Sequence, residues 1–552
     1  MAKIRLALIS AYDKTGIADL AKALAEAGVK ILSTGGTLRA ISEAGVDVTA
    51  VDEHTGFPEM MDGRVKTLHP KIHGGLLALR GSEDHMAQAA EHDVEMIDLV
   101  VCNLYPFEAT IAQPGVSVEE AIERIDVGGP SMIRSASKNF QSVTVICNPA
   151  RYEQVLAEMA ANDGETTYEL RRDLALEAFK HTAKYDAAIS NYLAEQVRGD
   201  SDDVFPPVFT PWYEKVGGDL RYGENSHQSG ALYVDVRSTE TGVAGAIQHH
   251  DLESGRQMSF NNYLDATAAL KTARDFEEPT AIVIKHLNPC GAASADTLAQ
   301  AYQDAWVCDP ISAFGSVMAF NRVLDLETAS MIGSNDYLRE VVEPRYREET
   351  GDTESMILSA FPEAVIAPGF EPDALEKLKS VKSLRVLEVP DFFGPEAGDW
   401  DYDTRKVPGG ILLQDEDVKR AAEADMTVAT EKAPTPEQMK SLIFADGIAK
   451  HVKSNTILLV QGTRTVGVGA GQMSRVDSAV IAARKAGKRA QGSVMASDAM
   501  FPARDGLDEA VGAAGAVAVI QPGGSIRDEE VVAAANEHGI AMVLTGMRHF
   551  RH

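Results

Sequence analysis

Short apolar runs of strand-like composition alternate with stretches of helical spacing along most of this chain, and that alternation leaves few architectures open. Near the start, IRLALIS gives way to KTGIADLAKALAEAG, then VKILSTGG to TLRAISEAG; IDLVVCNLYPF and QSVTVICN follow, separated by the helix-like SVEEAIERI. Strands joined through helices run parallel, because a parallel pair needs a crossover long enough to hold a helix. An α/β domain with a parallel sheet under helices is therefore expected. From Tyr168 to Val197 the apolar residues Leu170, Leu174, Phe179, Ala183 and Leu193 keep helical spacing, until RGDSDDVFPPVFTPW interrupts it with Pro206, Pro207 and Pro211. Proline removes a helical hydrogen bond and clashes with the preceding turn, so the domain boundary is placed there, giving residues 1–200 and 201–552. The second part alternates again (TAIVIKH, EAVIAPGF, TILLV, AVAVIQP, IAMVLTG), and its roughly 350 residues exceed one ordinary core, which predicts two α/β subdomains. Acidic, turn-rich stretches at 345–355 and 391–403 read as surface insertions.

Charge narrows the function. The 552 residues carry 82 acidic and 52 basic side chains, a net charge of −30, and such a surface repels polynucleotides. The longest apolar and glycine run, Val511 to Ile520, is far short of the roughly 20 residues that cross a bilayer. Leu6 to Ile9 is too short for a secretory core, and Asp13 and Lys14 follow it. The four cysteines (Cys102, Cys147, Cys290, Cys308) are scattered and form no C-x-x-C pair, as suits a reducing compartment. A cytoplasmic protein that binds neither nucleic acid nor membrane is expected.

The basic residues are not evenly diluted. Gly447 to Val476 contains no acid but holds Lys450, His451, Lys453, Arg464 and Arg475. Similar acid-free runs are Gly63 to Ser82, Val127 to Tyr152, Pro279 to Ala295 and the segment after Glu537, each with lysine or arginine beside glycine. Uncharged buried strands would explain one such run, but five argue for local cationic pockets that concentrate a small anion.

In VKILSTGGTLRAI a strand runs through Ser33-Thr34-Gly35-Gly36-Thr37 into a helix, which aims backbone N–H groups and hydroxyls at one point, as a phosphate site requires. Lys14 lies beside the same sheet end if the first two strands are parallel neighbours. The glycines Gly467, Gly469 and Gly471 lack the dinucleotide spacing, and neither a P-loop nor a G-x-S-x-G elbow occurs. KHLNPCG sets Lys285 and His286 side by side after a strand; an imidazole kept neutral by a neighbouring cation suits proton acceptance from an attacking amine. Pro289-Cys290 is half of a zinc-deaminase motif, but Ala293 replaces the second cysteine and no H-x-E occurs, so no catalytic metal is expected. Lys66, Tyr105, Asp126 and Lys138 cluster around Gly128-Gly129 in sequence motifs that are individually compatible with purely structural roles.

GRVKTLHPKIHGG, NLYPF, IDVGGPSMIR, LRYGENSHQ, KHLNPCG, GAGQMSRVDS, MASDAMFP and GMRHFRH, in this order over nearly the whole chain, closely resemble the bifunctional AICAR transformylase/IMP cyclohydrolase family of purine biosynthesis. The resemblance implies an N-terminal methylglyoxal-synthase-like cyclohydrolase domain and a C-terminal transformylase of two cytidine-deaminase-like subdomains. It implies formyl transfer from 10-formyltetrahydrofolate to AICAR, with His286 as base, Lys285 as proton shuttle or charge stabiliser and Asn455 as a polar positioner. AICAR contacts fall on Arg221, Tyr222, Gly315, Glu363, Arg475 and Arg548; folate contacts fall on Val476, Asp505, Ser525 and Ile526; His552, the last residue, matches a terminal histidine. For cyclisation of FAICAR to IMP it implies Lys138 with Lys66, Tyr105 and Asp126. Phosphate and base contacts fall on Tyr12, Lys14, Thr34, Gly35, Gly36, Thr37, Arg64, Thr67 and Asn103. A homodimer with transformylase sites built across the interface is expected. Ser226 stands where the family usually has proline, Ser316 where it often has glycine and Asp446 where tryptophan is common. The competing expectation is a nucleotide-binding regulatory protein without catalysis, which would have no use for Lys285, His286, Asn455 and Lys138.

Overall fold

The structure is a computed structural model describing residues 2–199, 203–235, 242–249, 257–394 and 402–552. They form two compact units, Met1–Trp212 and Tyr213–His552. In the first unit, strands β1 (Leu6–Ala11), β2 (Lys30–Ser33), β3 (Thr49–Ala50), β4 (Leu99–Asn103) and β5 (Thr144–Ile146) are all parallel, in the order β3-β2-β1-β4-β5. Central β1 is buried on both faces, which is why it reads as a continuous apolar run. Its Ala7 and Ile9 pack with Ile17, Leu20 and Leu24 of α1 (Ile17–Glu26), while Leu6 and Leu8 face Ile72, Met132 and Ile133 on the other side.

Helix α2 (Gly35–Glu43) follows β2, α3 (Gly128–Lys138) lies between β4 and β5, and α4 (Tyr168–Gly199) is the long helix legible from Tyr168 onward. Of the proline-rich segment 198–212, residues 200–202 lie outside the described ones. Beyond them Thr210 is tied back to α4, its N–H donating to Asn191 Oδ1 (3.0 Å) and its carbonyl accepting from Asn191 Nδ2 (2.9 Å).

The second unit opens its main sheet after α5 (Phe260–Arg274), with β6 (Thr280–Lys285), β7 (Asn288–Ser294), α6 (Leu298–Cys308), β8 (Val317–Phe320), β9 (Ala364–Ala367) and β10 (Arg385–Glu388). After α7 (Pro436–Ala449) come β11 (Ile457–Gln461), β12 (Arg464–Gly469), α8 (Arg475–Ala486), β13 (Val494–Ser497), β14 (Ala518–Gln521) and β15 (Ala541–Leu544). The strand order is β10-β9-β8-β6-β7-β12-β11-β13-β14-β15, closed at the ends by Ile247–Gln248 and Thr427–Val428. One arrangement therefore occurs twice: an antiparallel hairpin whose first strand continues into three mutually parallel strands. The two copies join where β7 meets β12 antiparallel, at Ala293↔Arg464, so both expected subdomains share one sheet.

The glycines of β12 are explained by this packing. A Cβ on Gly469 would stand 1.9 Å from the carbonyl oxygen of Ser478 in α8, and one on Gly467 would stand 2.2 Å from that of Ala482. Gly291 of β7 meets Ala305 of α6 at 1.9 Å in the equivalent place. Close helix–strand contact, not a phosphate, needs these glycines.

The reading of 345–355 as a surface insertion is corrected. Glu343–Thr350 is a helix whose Tyr346 is buried, and Arg345 pairs with Asp304 at 2.6 Å and Glu349 at 2.8 Å. Charged composition concealed a segment that packs through ion pairs. Within 391–403, residues 395–401 lie outside the described ones. Among the described residues no helix is long and apolar enough to cross a membrane.

Candidate active sites

The carboxyl ends of β1, β2 and β4 open into a cavity of about 430 Å³, at the edge where parallel α/β sheets hold ligands. Tyr12 follows β1, Thr34 to Thr37 follow β2 into α2, and Asn103 ends β4. The loop after β2 is tied down by its hydroxyls. Ser33 Oγ donates to the Ile9 carbonyl at 2.7 Å, Ser10 and Thr34 hydroxyls meet at 2.9 Å, and buried Thr37 bonds both backbone groups of Ala11. Thr37 therefore positions the loop with its hydroxyl already engaged. What remains for an anion is the start of α2, whose first N–H groups have no partner inside the helix, and two cations. Lys14 Nζ lies 3.7 Å from where a Cβ on Gly36 would be, and Lys66 Nζ lies 3.5 Å from the same point on Gly35. Asn103 likewise braces a turn, bonding the Asp13 N–H at 2.9 Å and its carbonyl at 3.0 Å. Tyr12 and Tyr105 form a half-exposed ring pair with centroids 5.2 Å apart, a surface suited to a heterocycle.

Opposite lies the turn before α3. Asp126 accepts from Gly129 N at 2.9 Å, and its own N–H donates to the Tyr185 hydroxyl of α4 at 2.7 Å, while that hydroxyl donates to the Arg124 carbonyl. Burial pushes the Asp126 carboxyl above its ordinary value, against backbone hydrogen bonds that pull it down. Both glycines here are dictated by crowding. A Cβ on Gly128 would lie 2.7 Å from Thr67 Oγ1, and one on Gly129 would lie 2.6 Å from Asp126 Oδ2 and 2.7 Å from Leu104 Cδ2. Gly129→Ala is expected to cost about 1–3 kcal/mol of stability by overpacking, read as a lowered Tm; an unchanged Tm would contradict this crowding.

Every N-terminal site residue chosen from the sequence lines this cavity except Lys138. Gly128 starts α3 at the cavity and Lys138 ends it, about 15 Å further along at 1.5 Å per residue, exposed to solvent. Motifs that are neighbours in sequence are thus separated here by a helix, and Lys138 does not line this cavity within one chain. Sequence reasoning also missed Glu123, paired with Arg64 across the opening, along with Arg124 and Tyr185. A charged helix end and a tyrosine in a long helix carry no motif.

In the second unit a cavity of about 670 Å³ is lined by Arg221, Tyr222, Lys285, His286, Gly315 and Glu363, with Asp265 and Arg385, which no motif had indicated. His286 and Leu287 form the two-residue turn between β6 and β7, where Lys285 pairs with Asn288. Both have positive φ, 53° and 66°, the left-handed geometry of a tight hairpin that ordinarily selects Asn-Gly. Leucine in that region is strained by roughly 1–3 kcal/mol, and such strain gathers at functional sites. The turn is held by its neighbours. Leu287 N–H donates to Asp265 Oδ1 at 2.8 Å, and Asn288 Nδ2 donates to the His286 carbonyl at 2.9 Å. Lys285 Nζ donates to the Gly315 carbonyl at 3.0 Å, so the ammonium is aimed by a neighbouring loop. Gly315 has φ 68°, and a Cβ there would sit 2.9 Å from Lys285 Nζ. Ser316, where glycine was more usual, is buried and passes its carbonyl to Glu363 N–H. Ser226 is exposed.

Asn455, Arg475, Val476, Asp505, Ser525, Ile526, Arg548 and His552 do not line this cavity; they belong to the second copy of the repeat. Arg475 is pinned by the fully buried Asp498 carboxylate at 2.5 Å and donates to Asn455 Oδ1 at 2.9 Å. Asp498, Ser525 and Arg548 follow β13, β14 and β15 respectively, again at carboxyl ends of parallel strands. The antiparallel junction brings this end beside the His286 turn, since Lys453 N–H donates to Asn288 Oδ1 at 2.9 Å.

The profile of the AICARFT/IMPCHase bienzyme matches residues 136–485, well over half the chain, and that of the MGS-like domain matches residues 16–131. The chain belongs to the AICARFT/IMPCHase bienzyme family. The Bifunctional purine biosynthesis protein PurH of Magnetococcus marinus is 49% identical over 564 aligned residues, covering 100% of both proteins. A solved structure titled Crystal structure of ForH is 35% identical, covers 34% of this chain and 97% of its own, and superimposes with a TM-score of 0.31. The first cavity draws its lining from Ser10 to Met132, nearly all within the MGS-like match, and the His286 turn lies inside the bienzyme match.

Proposed function

We propose that the chain catalyses two consecutive steps of purine biosynthesis, formyl transfer to AICAR in the second unit and cyclisation of FAICAR to IMP in the first. The full-length relationship to a bifunctional purine-biosynthesis protein carries this reading, and nothing favours a catalytically silent regulator. Loss of tetrahydrofolate and IMP production in a reaction containing AICAR and 10-formyltetrahydrofolate would overturn it.

In formyl transfer the AICAR amine attacks the formyl carbon. His286 takes the amine proton, the Lys285 ammonium faces the developing oxyanion, and the C–N bond to the folate breaks as a proton returns to the folate nitrogen. Arg221 and Arg385 supply cations for the phosphate, and Asn455 with Arg475 holds the second substrate edge. In cyclisation the carboxamide nitrogen attacks the formyl carbon, forming the ring C–N bond, and the resulting hydroxyl leaves as water. Close confinement supplies much of the acceleration. Lys66 and Tyr105 donate to the oxygen, Asp126 accepts a proton, and Lys14 with the α2 start holds the phosphate.

The active form is a homodimer in the cytoplasm, with each transformylase site drawing His286 from one copy and the Asn455 group from the other. Mixing His286→Ala and Asn455→Ala enzymes after dissociation should then restore about a quarter of the wild-type rate, since half the dimers are mixed and each has one intact site of two. Two inactive variants that stay inactive on mixing would place each site within one chain.

A further inference from the structure

We infer that His549 is the positioning residue of the segment following β15, setting which of its side chains face the transformylase site. The inference rests on the assignment of Arg548 to AICAR binding made above. The segment alternates: Arg548, Phe550 and His552 are exposed, His549 is 4% exposed and Arg551 half-buried. Alternation of period two belongs to an extended chain with one side held down. Most of the holding contacts come from the inward residues; outward His552 adds one, its carbonyl accepting from Arg405 Nη1 at 3.2 Å. His549 N–H donates to the Asp498 carbonyl at 3.2 Å, and its Nδ1 lies 2.7 Å from Asp417 Oδ2. An ionised carboxylate has no hydrogen, so Nδ1 must donate. Arg551 exchanges backbone bonds with Ser454, at 3.2 Å to its hydroxyl and 2.9 Å from its N–H, and its guanidinium donates to the His451 carbonyl at 2.7 Å.

His549 Nε2 is buried without a hydrogen-bond partner, and the buried carboxyl of Asp446 acts on the ring electrostatically. Two carboxyls, Asp417 and Asp446, thus act on the imidazole, with Lys450 acting on both, and Asp446 occupies the place where tryptophan is common in the family. Outside, the Arg548 guanidinium lies 4.5 Å from the Phe550 ring centroid, so a same-side neighbour already orients it. A slip of one residue would turn Arg548 inward and put every outward group on the wrong side.

The test uses the full chain with His549→Phe, His549→Asn and Arg548→Ala, measuring formyl transfer, FAICAR cyclisation and hydrogen exchange of residues 547–552. His549→Phe should raise the KM for AICAR about tenfold, the worth of a hydrogen bond to a charged group, with kcat within about threefold, cyclisation unaltered and exchange faster. His549→Asn can still donate to Asp417 and should bring KM back to within about threefold of wild type. Faster exchange in His549→Phe with an unmoved KM, beside a raised KM in Arg548→Ala, overturns the inference. So does His549→Asn proving as impaired as His549→Phe. A wild-type KM in Arg548→Ala overturns the Arg548 assignment and this inference with it. If His549→Phe fails to accumulate, Asp417→Asn, at a half-exposed side chain, should raise KM in the same direction; an unmoved KM there overturns the inference.

Discussion

Formyl transfer by His286→Ala should fall about a thousandfold, within the usual contribution of a general base, while FAICAR added directly is cyclised at the wild-type rate. The side chain is exposed on a two-residue turn at the edge of its cavity, remote in sequence from every residue lining the first cavity. The turn itself needs a control, because alanine is poorly suited to φ 53°. His286→Asn supplies it: asparagine is at home in the left-handed region but cannot take up a proton at neutral pH. Both variants should lose tetrahydrofolate formation alike. Recovery in His286→Asn would show that turn geometry rather than proton transfer limits the reaction, and loss of both half-reactions in folded protein would end the two-site assignment.

Lys66→Ala should lower cyclisation by about two to three orders of magnitude, the range for loss of a preorganised donor to a developing oxyanion, with formyl transfer unaffected. Lys66 is the ammonium nearest the Gly35 turn among the residues proposed for cyclisation. The same rate should fall on acidification through the ionisation of Asp126, at a pH above the ordinary aspartate value because burial raises it. The raised value also means that ionising Asp126 weakens the fold as pH climbs through it, so Asp126→Asn, which can still accept from Gly129, should not lower Tm at neutral pH. Lys138→Ala is the informative comparison. A loss equal to that of Lys66→Ala requires delivery of this ammonium from a second copy or a displaced α3, and an unaltered rate removes Lys138 from the chemistry.

Much of this architecture is legible in the sequence because buried parallel strands must be continuously apolar, as in LALI and LVVC, and because α4 keeps its spacing over many turns. Helix α3 is not legible: it begins Gly128-Gly129-Pro130, the composition of a turn, and those glycines are demanded by Thr67 and Asp126 through space. The distance of Lys138 from the cavity is hidden for the same reason. The repeat in the second unit is equally hidden, since it resides in strand order, and only Gly291 and the pair Gly467 and Gly469 betray it through close helix contact. In the first site the motif residues were found, but their division of labour was not. Thr37 and Asn103 spend their polar groups on the backbone, which spacing alone cannot reveal.

Ala292 and Thr465 exchange hydrogen bonds across the junction of β7 and β12, as do Ser294 and Thr463, so the two halves of the second unit are stitched along their meeting line. A jaw-like swing between them would tear that seam. Gating at the His286 turn must therefore fall to peripheral loops, and a spectroscopic ruler spanning the two halves should read the same length with and without substrate.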